Sequence, residues 1–188
     1  MHGFTQQIFS IAADGTALTN STVLTTLLPA AVIPAAANVL PAKFLNYVGQ
    51  ELYLEASGRI STLVTTPGTL SFALRFGSVS VALSGAFALN VVAKTDATWY
   101  LRWLLTLRAV GASANLMHTG NWQSEAVVGS PLPAVGGAGL LLIPASAPAV
   151  GSNFASTSAQ TVDLHAQWSV ASTSNSIKLH QLRLLSPN

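Results

Sequence analysis

WYLRWLLTLRAV, residues Trp99 to Val110, alternates. Trp99, Leu101, Trp103, Leu105, Leu107 and Ala109 fall on one side of an extended chain. Tyr100, Arg102, Leu104, Thr106, Arg108 and Val110 fall on the other, because successive side chains of a strand point to opposite faces. The first set is wholly apolar and holds two of the four Trp. Wound as a helix, the same residues would scatter both Arg and the Trp pair around the circumference without a clean stripe. The stretch is therefore expected to be the central strand of an antiparallel sheet. One face belongs to a core, and the amphipathic other face suits a second protein surface or partial solvent.

The flanking chain reads the same way. Thr22 to Leu28 is expected to be a first strand, stopped by Pro29. Ala30 to Pro41, with Pro34 and Pro41, is an irregular connection. In LYLEASGRIS, Leu52, Leu54 and Ala56 alternate with Tyr53 and Glu55, and Gly58 marks a bulge or a close backbone approach. Thr66-Pro67-Gly68 is a turn signal, so Arg59–Val64 and Thr69–Phe76 form a hairpin candidate. Val79–Leu83 is a short segment between Gly77 and Gly85, and Leu89–Ala93 leads into the central strand. Later strands are expected at Asn115–Val128, Thr161–Val170 and Ser176–Leu185, with Ser172–Asn175 as a polar turn. Residues 1–20 read as an N-terminal arm, and 129–154 as a Gly/Pro-rich loop. The sum is an all-β chain: a jelly-roll-like antiparallel β-sandwich of about eight strands in a single domain over 21–188.

Composition narrows the function. Charged residues make up 7% of the 188, against about 25% in ordinary soluble domains. Half of the chain is apolar. Eight basic and six acidic residues leave a net charge of +2, with no Lys/Arg cluster of the kind that nucleic acid requires. The best apolar window, Pro131 to Gly151, is cut by four Pro and three Gly before its final residue, which rules out a regular spanning helix. Aromatic girdles repeating on each strand, the mark of a membrane barrel, are absent as well. A surface with so few charges is instead expected to be covered by other subunits. A homo-oligomer follows, with the amphipathic strand faces and the arm near the subunit contacts. There is no cysteine, so disulfides and thiolate metal sites are excluded. The N-terminus lacks a basic region followed by a long apolar core, so no signal peptide is expected.

The search for chemistry returns little. No nucleophile elbow, phosphate loop or zinc helix motif occurs. Glu51 and Glu55 share a strand face but stand four residues apart, too far to touch. Asp163 and Glu125 would make a two-carboxylate site only if distant strands brought them together. Asp163 and His165 share a face, with His180 on the adjoining strand, which could suit a metal or an oriented base; with no third ligand at suitable spacing, an exposed polar face with a His that packs or hydrogen-bonds is the stronger expectation. Trp122 and Trp168 could stack on sugar rings, but aromatics of this kind more often fill a core or an interface. Arg102 and Arg108 are expected to contact a neighbouring sheet edge or a partner, since a phosphate site would need more converging donors. The expectation is no enzyme, no cofactor and no metal.

Five segments carry a resemblance: LPAKFLNYVGQELYLEASGRIST, TPGTLSFALRFGSVSV, ALNVVAKTDATWYLRWLLTLRAVG, ANLMHTGNWQSEAVVG and ASTSAQTVDLHAQWSVASTSNSIKLHQLRLLSPN. Together they resemble a family of small structural proteins encoded in tailed-bacteriophage genomes. The likeness covers nearly everything after Ser21 and departs mainly at Ala30–Ala37 and Gly129–Val150. It implies a virion component, an all-β jelly-roll-like subunit without catalytic residues. Combined with the composition, it leads to a capsid decoration (cement) protein: a homotrimer seated on the major capsid protein, made in the host cytoplasm and located on the virion. Two alternatives stand beside it. One is a tail or fibre module that binds a host-surface glycan. The other is a lectin-like or hydrolytic jelly roll outside any virus.

Overall fold

A computed structural model of the chain describes residues 5–30, 38–63, 65–126, 139–144 and 153–187. Among these the regular structure is entirely β. The strands are β1 (Thr5–Ser10), β2 (Leu18–Thr19), β3 (Thr25–Thr26), β4 (Val39–Leu40), β5 (Glu51–Thr62), β6 (Thr69–Phe76), β7 (Val79–Ala88), β8 (Lys94–Ala109), β9 (Asn115–Ser124), β10 (Leu140–Ile143), β11 (Gln160–Trp168) and β12 (Ser176–Pro187). Eight of them run six residues or more; β2, β3, β4 and β10 are short additions. No helix among the described residues is long and apolar enough to cross a membrane.

Two antiparallel sheets form a sandwich. The large sheet has the order β1-β12-β5-β8-β9-β10, with β2 also on β12, and the small one has the order β3-β11-β6-β7, with β4 also on β11. Four pairings are nested like one long folded hairpin: β1 and β2 on β12, β3 on β11, β5 on β8, and β6 on β7. That nesting is jelly-roll connectivity. The tip is the two-residue turn Gly77-Ser78, with Phe76 paired to Val79. Gly77 sits at φ 59 there, the first central position of a tight hairpin turn, where glycine carries no Cβ penalty.

The expected central strand is central. β8 lies between β5 and β9, and Trp99, Leu101, Trp103, Leu105 and Leu107 are all buried. Across the sandwich they meet Leu70, Phe72, Leu74 and Phe76 of β6 and Val162, Leu164, Ala166 and Trp168 of β11 in one core. Its middle is aromatic. Phe72 of the small sheet lies 5.5 Å from Trp99 and 6.1 Å from Trp122, and Phe87 stacks on Trp122 at 5.1 Å and 13°. Such offset and tilted pairs add to plain area burial.

Several boundaries differ from the sequence reading. Arg59–Val64 and Thr69–Phe76 are not a hairpin: β5 pairs with β12 and β8, β6 pairs with β11 and β7, and Thr66-Pro67-Gly68 carries the chain from one sheet to the other. Both segments present an alternating apolar face to the same core, so alternation alone does not distinguish pairing beside from packing across. The crossing is pinned by buried Asn175. Its amide donates to Pro67 O at 3.0 Å, and its Oδ1 accepts from Leu63 N at 2.8 Å.

Residues 5–10, expected within an arm, lie along β12 as an edge strand of the large sheet. Of the expected first strand, Thr22–Leu28, only Thr25–Thr26 pair as β3, although Leu27 N still bonds Leu164 O at 2.8 Å. Val79–Leu83 extends to Ala88 through Gly85 at φ 75, with register shifts on the β6 side that mark bulges. Within the expected loop 129–154, Leu140–Ile143 pair with β9 as β10; residues 129–138 and 145–152 lie outside the described residues, as do 31–37 of the irregular connection.

Gly58 is the close approach the sequence pointed to. A Cβ there would lie 1.9 Å from Lys178 O. The bulge is on the partner strand: Leu179 pairs with Gly58 and Gln181 with Ser57, which leaves His180 as the extra residue.

Candidate binding face of the large sheet

The residues singled out for chemistry separate in space. Asp163 and His165 do meet on the outer face of the small sheet, where His165 Nε2 is 3.0 Å from Asp163 Oδ2 and Thr26 Oγ1 donates to Asp163 Oδ1 at 2.6 Å. His180 is on the large sheet instead, with Nδ1 2.9 Å from Asp14 Oδ1. The proposed trio of Asp163, His165 and His180 is thus not assembled. Among the described residues no group of three His, Asp or Glu is placed to hold a metal ion. Glu125 follows β9 and pairs with Lys94 at 3.8 Å, on the sheet opposite Asp163. Trp122 and Trp168 are fully buried, so neither presents a ring to a sugar. Arg108 is exposed near the end of β8.

Arg102 is the start of something the sequence did not reveal. In the register of the large sheet, Arg183 of β12, Glu55 of β5, Arg102 of β8 and Asn121 of β9 stand side by side. The next row is Gln181, Ser57, Tyr100 and Gln123. All point outward, because their in-strand neighbours are the buried core residues. Glu55 is held from both sides. Arg183 binds its Oε2 through Nε and Nη2, and Arg102 Nε is 3.2 Å from its Oε1. Burial works against the Glu55 charge, but Arg183, Tyr100 and Arg102 outweigh it and hold the carboxyl below its ordinary range. Arg102 Nε also donates to the Tyr100 hydroxyl at 2.8 Å, and its guanidinium lies 4.9 Å from the centre of the Tyr100 ring, within cation–π range.

Farther along the same face, Asp14 leans over β12. It takes Lys178 Nζ at 2.9 Å beside its contact with His180, and these two bonds hold the exposed Asp14 carboxyl below its usual pKa. Arg59 Nη1 donates to Asp96 O and to Thr98 Oγ1. Nine of the fourteen charged residues therefore stand on or over this one face: Asp14, Glu51, Glu55, Arg59, Asp96, Arg102, Arg108, Lys178 and Arg183. On the outer face of the small sheet the described titratable residues are Arg75, Asp163 and His165, among Ser71, Ala73, Leu83, Ala86, Thr161 and Gln167.

One histidine is in the core. His118 of β9 is 3% exposed, and its ring stands edge-on to Trp103 at 6.3 Å. Leu83 N donates to its Nε2 at 3.5 Å. Burial depresses its pKa below the ordinary histidine value of about 6.5. The unfolded chain therefore takes up this proton first. The stability that neutral His118 contributes is full above about pH 6.5 and is lost as pH falls through its lower folded value. We expect a slope of up to about 1.4 kcal/mol per pH unit below pH 6.5 that His118→Leu removes. Urea melts of both chains between neutral pH and the carboxylate range test it. Equal slopes in the two would refute it, because Asp14 and Glu55 are common to both.

No family model matches the chain, and no curated protein matches it. Among solved structures, the CBM2 module of the evolved Dit of Lactobacillus casei BL23 phage J-1 aligns over 100% of this chain and 98% of that one. The TM-score is 0.33, with 8% sequence identity. A likeness of that size carries no argument about family or function, and the β-sandwich class rests on the sheets themselves.

Proposed function

We propose that the chain is a non-catalytic structural subunit of a tailed-bacteriophage virion, and that it decorates the capsid as a homotrimer docked on the major capsid protein. The observation that carries this reading is the uneven surface. Charge is gathered on the outer face of the large sheet, while the small-sheet face is built from Ser, Thr, Ala and a few larger residues. Interface centres are depleted in charge in this way. Exposed apolar side chains also lie off the charged face, Leu83 on β7 and the loop neighbours Tyr47 and Val48, with Val91 and Val92, although Leu140, Leu142 and Tyr53 are exposed on the large-sheet side. The nested jelly-roll strand order and the five resembling segments supply the virion setting. A trimer follows the habit of jelly-roll virion subunits, and closed symmetry covers apolar patches without leaving open ends.

Copy number in purified particles is the test. Hundreds of copies are expected for the capsid shell. A few to dozens would move the protein to the tail or a fibre, and absence from particles would overturn the virion reading. Light scattering on the free protein should give the mass of a trimer. A stable monomer at micromolar concentration would refute the assembly argument, and a dimer would refute only the trimer.

A further inference from the structure

We propose that the groove on the charged face of the large sheet is a binding site for a neutral saccharide. The inference stands apart from the capsid reading, since it concerns the face that docking through the small sheet leaves open. The groove is shallow and open to solvent, with a volume of about 410 Å³, near the lower end of the range of about 300–1,000 Å³ typical of small-ligand sites. Four strands contribute to it. Glu55 and Ser57 come from β5, Tyr100 from β8, and Gln181 and Arg183 from β12, with Ser10 at the end of β1. None of these is adjacent in sequence to a residue of another strand in the group, and the register alone assembles them.

The polar groups are fixed in place yet not used up. Ser57 Oγ donates to Gln181 Oε1 at 3.1 Å, which orients the Gln181 amide and leaves its Nε2 hydrogens for another acceptor. Ser10 Oγ accepts from Gln7 Nε2 at 3.2 Å and keeps its own hydrogen to donate. Arg183 engages Glu55 through Nε and Nη2, which leaves Nη1. The Tyr100 ring is braced by Arg102. Donors and acceptors therefore stand at set spacing beside half-buried Ile11 and the Tyr100 ring, while Ala56 and Leu182 turn their side chains into the core beneath. A sugar hydroxyl both donates and accepts, and the C–H face of a sugar ring needs an apolar or aromatic neighbour. The Glu55 carboxylate argues for a neutral ligand. A phosphate or polyanion site gathers donors without a carboxylate among them, whereas Glu55 sits in this groove and occupies both arginines that flank it.

Saturation-transfer NMR and calorimetric titration with D-glucose, D-galactose, L-rhamnose and N-acetyl-D-glucosamine, with inorganic phosphate alongside, test the site. At least one sugar is expected to bind with a Kd near 1 mM, on the order of shallow sites. Gln181→Ala and Arg183→Ala should each weaken that binding by about tenfold. Arg108→Ala, outside the groove, should leave it unchanged. The three side chains are exposed, so the variants are expected to keep the fold, and circular dichroism checks this. The proposal is overturned if none of the four sugars binds, if phosphate binds more tightly than every sugar, or if binding is indifferent to both groove substitutions.

Discussion

Trp122→Ala is expected to cost about 3–5 kcal/mol, the range for truncating a large aromatic in a packed core. Trp122 is fully buried. It sits between Leu101 of β8 and Leu141 of β10 in the large sheet, and its ring is stacked on Phe87 and close to Phe72 of the small sheet. The substitution therefore removes packing within one sheet and the contact between the two. The surrounding aromatics hang from different strands and cannot all collapse into the gap. Trp122→Phe keeps much of the ring contact and should lose far less. Urea unfolding followed by far-UV circular dichroism measures both. A loss for the Ala variant within about 0.5 kcal/mol, the range of an ordinary surface change, would mean that the ring is not in the core. That outcome would also restore Trp122 as a residue free to stack on a ligand.

Leu105→Ala should destabilise by about 2–5 kcal/mol. Leu105 is 1% exposed on the inner face of β8, with Leu52 of β5 on one side and His118 of β9 on the other. β8 is hydrogen-bonded along both edges, so the backbone cannot move inward to fill the space that three lost carbons would leave. Leu104→Ala is the matched control. Leu104 belongs to the outward set, paired with Tyr53, and should cost much less. If the two variants lost equal stability, the register of β8 would be wrong by one residue, because a single-residue slip exchanges the two faces.

Most of the long strands and the direction of their faces were legible in the chain, whereas the edge strands β1 and β10 were not. Period two is a local property: Trp99, Leu101, Trp103, Leu105 and Leu107 need a core on one side whatever that core is made of. The low charge and the absent catalytic motifs were equally local, and so was the close approach at Gly58, where only a missing Cβ lets β12 pass. The hairpin misread at Thr66-Pro67-Gly68 shows where this kind of information stops. A turn and two alternating segments look alike whether the second strand lies beside the first or over it, because the apolar faces reach the same core in either case.

What only the tertiary structure decided is register between strands far apart in the chain. Jelly-roll nesting sets β12 against β1 and β5, so Arg183 and Gln181 arrive beside Glu55 and Ser57. Arg102 and Tyr100 arrive from β8 on the other side. Nothing in the local pattern of any one of these strands marks Arg183 as a partner of Glu55, since an outward-facing arginine fits any solvated position equally well. The same nesting separates His180 from Asp163 and His165, which one polar turn had suggested were neighbours. Alternation fixes which side of a sheet a residue faces, and long-range pairing alone fixes which residues share that side.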